Sequence, residues 1–286
     1  MVSLESKSIK FVWTTQYNMQ TTNYQPYFNA NRDGWNKRTD IHKDSAFYDI
    51  AGFKAGQSAL NSLEIMELGN VAGKSMLHLQ CHFGLDTLSW ARLGANVTGI
   101  DLSDNAIAVA KELSTELNIP AEFIRSNVYD LRDHLDTQFD IVYTSYGVVG
   151  WLPDLDKWAA IISHFLKPGG IFYIAEFHPV VWMMDDNFKE IKYHYHNHEL
   201  IHEKMTGTYA DRYAAIEYDD YNWNHSLGEV INSLIDAGLT IQHLNEFPYS
   251  CYNCFNNTVQ GEDGYWRIKG LENKIPMMYS VKAVKG

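Results

Sequence analysis

The chain has 286 residues with 23 lysines and arginines against 35 acids, a formal net charge of −12. It lacks the basic stripe that a duplex nucleic-acid partner requires, and no apolar run approaches the roughly 20 residues that span a bilayer. Three cysteines exclude a disulfide scaffold and fit a reducing cytoplasm. The segment MVSLESKSIKFVW lacks the continuous apolar stretch of a signal peptide, which again points to a cytoplasmic protein. A small molecule is the expected partner.

Residues 1–55 are polar and aromatic, with Trp13, Tyr17, Tyr24, Tyr27, Phe28, Trp35, Phe47, Tyr48 and Phe53 punctuated by Asn, Asp and Gly. This composition predicts a cap of short helices and loops, placed as a lid over a ligand or as an arm on the sheet edge. Gln57 to Leu68 reads as a helix stopped by Gly69.

Lys74 to Ser103 reads as strand, tight turn, helix and strand. Met76 to Leu79 is the first buried strand. Cys81 to Gly84 is the turn, Leu85 to Leu93 a helix ended by Gly94, and Ala95 to Ile100 a second strand ending in Asp101. Asp101 lies about 20 residues beyond the turn, the spacing at which a carboxylate accepts hydrogen bonds from a ribose. A dinucleotide would need glycines for its pyrophosphate, whereas Gln80, His82 and Phe83 crowd the turn. S-adenosylmethionine, which has no phosphate, fits better, and a purely structural unit is the competing reading.

Ser103 caps the helix Asn105 to Leu117, and strands follow at Ala121 to Ile124, Phe139 to Thr144 and Ile171 to Glu176, with a helix at Leu155 to Leu166. This alternation predicts a parallel sheet with helices on both faces and a ligand beyond the C-terminal strand ends. Residues 179–224, crowded with rings, charges and histidines, read as a flap or small strand layer inserted after the fifth strand. Leu227 to Ala237 is a helix, Thr240 to Phe247 and Met277 to Val284 are strands, and Pro248 to Ile275 is a long connection.

Five motifs in order resemble the class I S-adenosylmethionine-dependent methyltransferases, in particular an uncharacterised bacterial branch. The first, usually V-L-D-L-G-C-G-x-G, stands as MLHLQCHFG, with His78 at the acid position and Gly84 as the surviving glycine. VTGIDLS, RSNVYDL, FDIVYTSYGVVGWL and LKPGGIFYIAEFHP supply the rest. The resemblance implies a Rossmann-like, seven-stranded mixed α/β sheet with its last strand antiparallel and helices on both faces. An N-terminal cap (1–55) and a methyltransferase domain (56–286) holding the 179–224 substrate cap complete the expected organisation. It implies S-adenosylmethionine as cofactor, held by His78, Gln80, Cys81, Gly84, Asp101, Leu102, Ser103, Asn127, Val128, Ser145 and Tyr146. Asp101 would take the ribose hydroxyls, and Asn127 with Val128 the adenine.

Methyl transfer relies on alignment and desolvation more than on a dedicated catalytic group. His178, at the end of the fifth strand, is the candidate base. Trp35, His42, Trp151, His178 and His225 are the candidates for the acceptor site. His194, His196, His198 and His202 would share a face on a strand, yet no acid or cysteine stands beside them at a known spacing, so no metal is expected. Cys251 and Cys254 form a CxxC without a partner pair. A protein that binds the cofactor without turnover, and a nicotinamide-dependent oxidoreductase, are the alternatives.

Overall fold

The computed structural model describes residues 23–286, so Trp13 and Tyr17 of the expected cap lie outside the described residues. The chain opens with helices α1 (Gln25–His42), α2 (Ile50–Lys54) and α3 (Ser62–Leu68). Then come β1 (Ser75–Leu79), α4 (Leu85–Arg92), β2 (Asn96–Asp101), α5 (Asp104–Glu116), β3 (Glu122–Arg125), β4 (Phe139–Ser145), α6 (Leu155–Phe165) and β5 (Leu166–Phe177). The rest is α7 (Pro179–Trp182), β6 (Ile201–Thr206), β7 (Glu217–Asn222), α8 (Leu227–Asp236), β8 (Leu239–Phe247), β9 (Thr258–Gln260), β10 (Trp266–Ile268) and β11 (Met278–Lys285).

Seven strands form one sheet in the order β3-β2-β1-β4-β5-β11-β8. The first five are mutually parallel, and β11 runs antiparallel to both β5 and β8. This is the expected mixed sheet. Strand order reverses between β1 and β4, and the crevice beyond such a switch point is where open α/β sheets take ligands. Side-chain alternation along β1 sorts the core. Leu77 and Leu79 join Trp158, Phe165 and Leu234 on one face, while Met76 joins Trp90, Tyr143 and Tyr173 on the other. His78 shares the Met76 face and therefore meets α4, where its Nδ1 lies 2.8 Å from Thr87 Oγ1.

Four expectations are corrected. Among the described residues of the cap, one 18-residue helix, α1, precedes the short α2, where only short helices and loops were expected. The helix expected from Gln57 starts at Ser62. Residues 248–275 carry a small antiparallel ribbon, β9 with β10, inside the expected loop. The histidines at 194, 196 and 198 lie outside any strand; only His202 is on one, β6, where it faces Asp219 at 2.8 Å. The 179–224 segment folds into α7 and an antiparallel pair, β6 with β7. Among the described residues, no helix is long and apolar enough to cross a membrane, and no group of three or more His, Cys, Asp or Glu could hold a metal.

Candidate active site

Above the β1–β4 switch lies a cavity of about 870 Å³, within the roughly 300–1,000 Å³ of small-molecule sites. Its floor is the turn after β1. Gln80 (φ 55°), His82 (φ 51°) and Gly84 (φ 80°) all adopt left-handed backbone there. These are the three positions where the family motif carries glycine, so the turn keeps its shape with two non-glycine residues. Gly84 has no substitute: a Cβ would sit 2.7 Å from the Phe123 ring, besides its positive φ.

The turn is tied to the tip of β2 through Asp101. Its Oδ2 accepts the His82 backbone N–H and its Oδ1 that of Ser103, each at 2.8 Å. Burial raises its pKa to about 6 despite those bonds. Each oxygen retains a lone pair, as a pair of ligand hydroxyls would require. Across the switch, Glu176 at the end of β5 is buried and accepts the backbone N–H groups of Gly147, Val148 and Val149. That clamp fixes the loop carrying Trp151, whose indole donates to Gly147 O at 2.8 Å.

The roof is α1 on the β6–β7 pair. Asn31 donates to Tyr221 O (2.7 Å) and accepts from Tyr221 N (2.9 Å), pairing like a strand residue. Arg38, almost fully buried, pairs with Asp220 of β7, and its guanidinium lies 4.5, 5.2 and 4.2 Å from the Trp35, Trp151 and Tyr218 ring centres. Asn36 accepts from Ser103 Oγ (2.7 Å) and Asn105 N (3.1 Å), joining α1 to α5. Trp35 meets Trp151 edge-on at 5.5 Å, and the Tyr48 and Tyr209 hydroxyls bond at 2.5 Å.

The expected residues divide as follows. His78, Gln80, Cys81, Gly84, Asp101, Leu102, Asn127, Val128, Ser145 and Tyr146 line the cavity, as do Trp35 and Trp151. Ser103 is fully buried off the wall, capping α5 through Ala106 N. His42 lies buried behind the wall, amid the Trp35, Tyr48, His82 and Tyr209 rings. His225 is buried too, its Nε2 2.6 Å from Leu152 O, holding the turn at Val149–Trp151 to the start of α8. His178 faces away from the cavity: its Nδ1 accepts from Val180 N at 3.2 Å and its Nε2 lies 2.8 Å from Glu246. Ser103 and His178 follow strand ends, which fix where a residue stands but not which side it faces; His42 on α1 and His225 before α8 are placed by the packing of those helices.

Arg38, Asp86, Tyr48, Tyr209, Trp223 and Tyr252 also line the cavity, and none was singled out as a site residue. The aromatic richness of residues 1–55 and 179–224 was the available signal for Tyr48, Tyr209 and Trp223. Asp86, in the first turn of α4, carries no signal in the sequence that sets it apart from an acid complementing the helix dipole.

His178→Ala is expected to cost about 1 kcal/mol in urea unfolding, the scale of a lost helix-start cap. It should leave cofactor affinity within about twofold; a tenfold fall would return His178 to the site.

Residues 77–174 match the family model described as a methyltransferase domain. Over those residues the chain is similar to a methyltransferase domain. A ubiquinone biosynthesis O-methyltransferase from Shewanella pealeana is 30% identical over 107 residues, covering 37% of this chain and 45% of the relative. The chain thus spans about half the length of the curated relatives it matches. An S-adenosylmethionine dependent methyltransferase from Mesorhizobium loti superposes with a TM-score of 0.53 at 21% identity, covering 81% of this chain and all of that one. A glycopeptide N-methyltransferase complexed with S-adenosylmethionine gives 0.52 at 18% identity, with 80% and 88% covered. At these identities the structural likeness is one of fold. The matched residues supply the floor of the cavity; α1, the β6–β7 pair and the 252–256 loop, which lie outside them, supply much of the rest.

The Met76 side of the sheet also buries Glu64, whose pKa burial, and then Asp86, raise to about 8. A carboxyl held protonated in the fold and ionised in the unfolded chain loses stability as pH rises from its ordinary value through its folded one. Asp86 and Asp101, raised to about 6, act with the same sign lower down. The neutral buried His42 and His78, lowered to about 3, act with the opposite sign below pH 6.5. Between pH 6.5 and 8 Glu64 therefore dominates among these groups. Wild type should lose thermal stability across that window and Glu64→Gln should not, as scanning calorimetry would show; parallel curves would sink the assignment.

Proposed function

We propose that the protein transfers the methyl group of S-adenosylmethionine to a small-molecule acceptor. The observation that carries this reading is Asp101, braced by two backbone N–H groups at the tip of β2 and facing a cavity at the strand-order switch of a methyltransferase domain. In this reading Asp101 accepts the two ribose hydroxyls, and Asn127 with Val128 stands at the adenine. The turn Gln80 to Gly84, with Ser145 and Tyr146, borders the amino-acid tail.

The residues fit that group. A flat base, a diol and a zwitterionic tail match an apolar wall, a braced carboxylate and a polar recess. The crowded turn opposes a pyrophosphate, and with it a nicotinamide cofactor. When bound, the sulfonium supplies an activated methyl carbon. The chain's part is to align the acceptor with it and exclude water. Trp35, Trp151, Tyr209, Tyr252, Phe177 and Phe255 border the remaining volume, which suits a flat or apolar acceptor. In this division of labour α1 and the 179–224 segment form the lid over the cavity. The net charge of −12 opposes a nucleic-acid acceptor, and the three free thiols accord with cytoplasmic residence.

Calorimetric titration with S-adenosylmethionine, S-adenosylhomocysteine and NADH tests the reading. Micromolar binding of the two adenosyl compounds, with NADH silent, is expected. Silence from both, or tight NADH binding, would overturn it.

A further inference from the structure

We infer that Asp86 holds the α-ammonium group of the cofactor's amino-acid tail, at a recess where β1, α4 and β4 meet. The inference rests on the cofactor reading above and assigns a residue that the sequence motifs do not.

Among the described residues, the recess holds several polar atoms without a hydrogen-bond partner, the Tyr146 hydroxyl being one, and lacks a cation. Asp86 lines the cavity, and among the described residues its carboxylate has one hydrogen bond, from Ser145 Oγ at 3.0 Å, and no cationic partner. Gln80 donates its Nε2 to Val148 O at 3.0 Å, which leaves Oε1 without a partner. Glu64, fully buried behind, leaves Oε2 without one. His78, 2% exposed, is held at Nδ1 by Thr87 and leaves Nε2 open.

Buried polar atoms ordinarily find partners, and a buried carboxylate without a cation is costly. A primary ammonium brings one positive charge and three donors. It would satisfy Asp86 and Gln80 Oε1 together, and His78 Nε2 is left to serve either the third N–H or the tail carboxylate, according to its tautomer. The first motif places His78, a neutral ring, where the family pattern has an acid, so β1 offers no carboxylate here; α4 does.

The helix-dipole reading of Asp86 accounts for less. An acid in a first turn gains at most about 2 kcal/mol from the dipole even when partly buried, and that reading leaves Asp86, set into the cavity wall, without a counter-charge. Burial raises its pKa to about 6, as for a carboxylate awaiting a counter-charge.

The test compares two ligands across three proteins. S-adenosylmethionine carries the tail; 5′-methylthioadenosine has the same nucleoside without it. Asp86→Asn is isosteric and is expected to weaken S-adenosylmethionine by roughly 10- to 100-fold, the scale of one charge-assisted hydrogen bond. Methylthioadenosine affinity should stay within about twofold of wild type, which also shows that the variant is folded. Asp101→Ala should weaken both ligands. If Asp86→Asn weakens both equally, or neither, the assignment fails while the cofactor reading stands. If wild-type protein binds neither compound, the cofactor reading fails and takes this inference with it.

Discussion

Asp101→Ala is expected to weaken S-adenosylmethionine binding about 100-fold, roughly 3 kcal/mol, the scale of one or two hydrogen bonds to a charged acceptor. Two things are lost together. The acceptors for a pair of hydroxyls disappear, and the His82 and Ser103 N–H groups lose the oxygens they share at 2.8 Å. The second loss matters because His82 stands in left-handed backbone without the freedom of glycine, so Asp101 also braces the turn that shapes the floor. Asp101→Asn, which keeps one acceptor, should fall between wild type and alanine. A dissociation constant within about threefold of wild type for Asp101→Ala would remove Asp101 from the ribose position.

Arg38→Ala should be the most destabilising single change on the roof. It removes one member of a buried ion pair and leaves Asp220 uncompensated beneath α1, a situation that costs about 3–5 kcal/mol. The guanidinium also packs among Trp35, Trp151 and Tyr218, so its hydrocarbon and ring contacts go too. By the usual scaling for chains of this order the melting temperature should drop by roughly 10 °C. Arg38→Met with Asp220→Leu should recover much of that loss, since two apolar side chains need no counter-charge. A drop of less than about 2 °C for Arg38→Ala would mean that the roof is not coupled to global stability and opens on its own.

The two halves of the molecule differed in how far their sequence revealed them. Between Lys74 and Glu176 the local signals agree with one another. Apolar strand runs, Ser103 as an N-cap, Gly94 as a stop and Asp101 at a strand tip are rules of short range, and the chain obeys them. The helix α1 has Pro26 at its start and His42 in its last turn, but no apolar period. Its buried face is Asn31, Gly34, Arg38, Thr39 and His42, at helical spacing but with no apolar stripe to register as a period. Those residues are buried because β7 and the rings offer them partners, and β7 lies about 190 residues away in the chain. No local pattern could announce such a partner.

The same distinction separates the site residues. Positions at strand ends were legible, because a parallel sheet brings its C-terminal ends to one edge whatever the side chains are. Orientation was not. His178 stands at the end of β5 yet faces Glu246, and His42 lies behind the wall that its neighbour Trp35 forms. Asp86 could be seen as a helical residue but not as a wall of the cavity, since its place depends on Ser145 crossing from β4. By itself, then, the sequence determined the alternation of strands and helices and the acid at the tip of β2, because hydrophobic periodicity, capping and strand length act over a few residues, while the seven-stranded mixed sheet was what the family resemblance implied. Only the tertiary structure decided which polar side chains are buried, what satisfies them and which face the cavity, because the partners that make burying a charge tolerable come from distant parts of the chain.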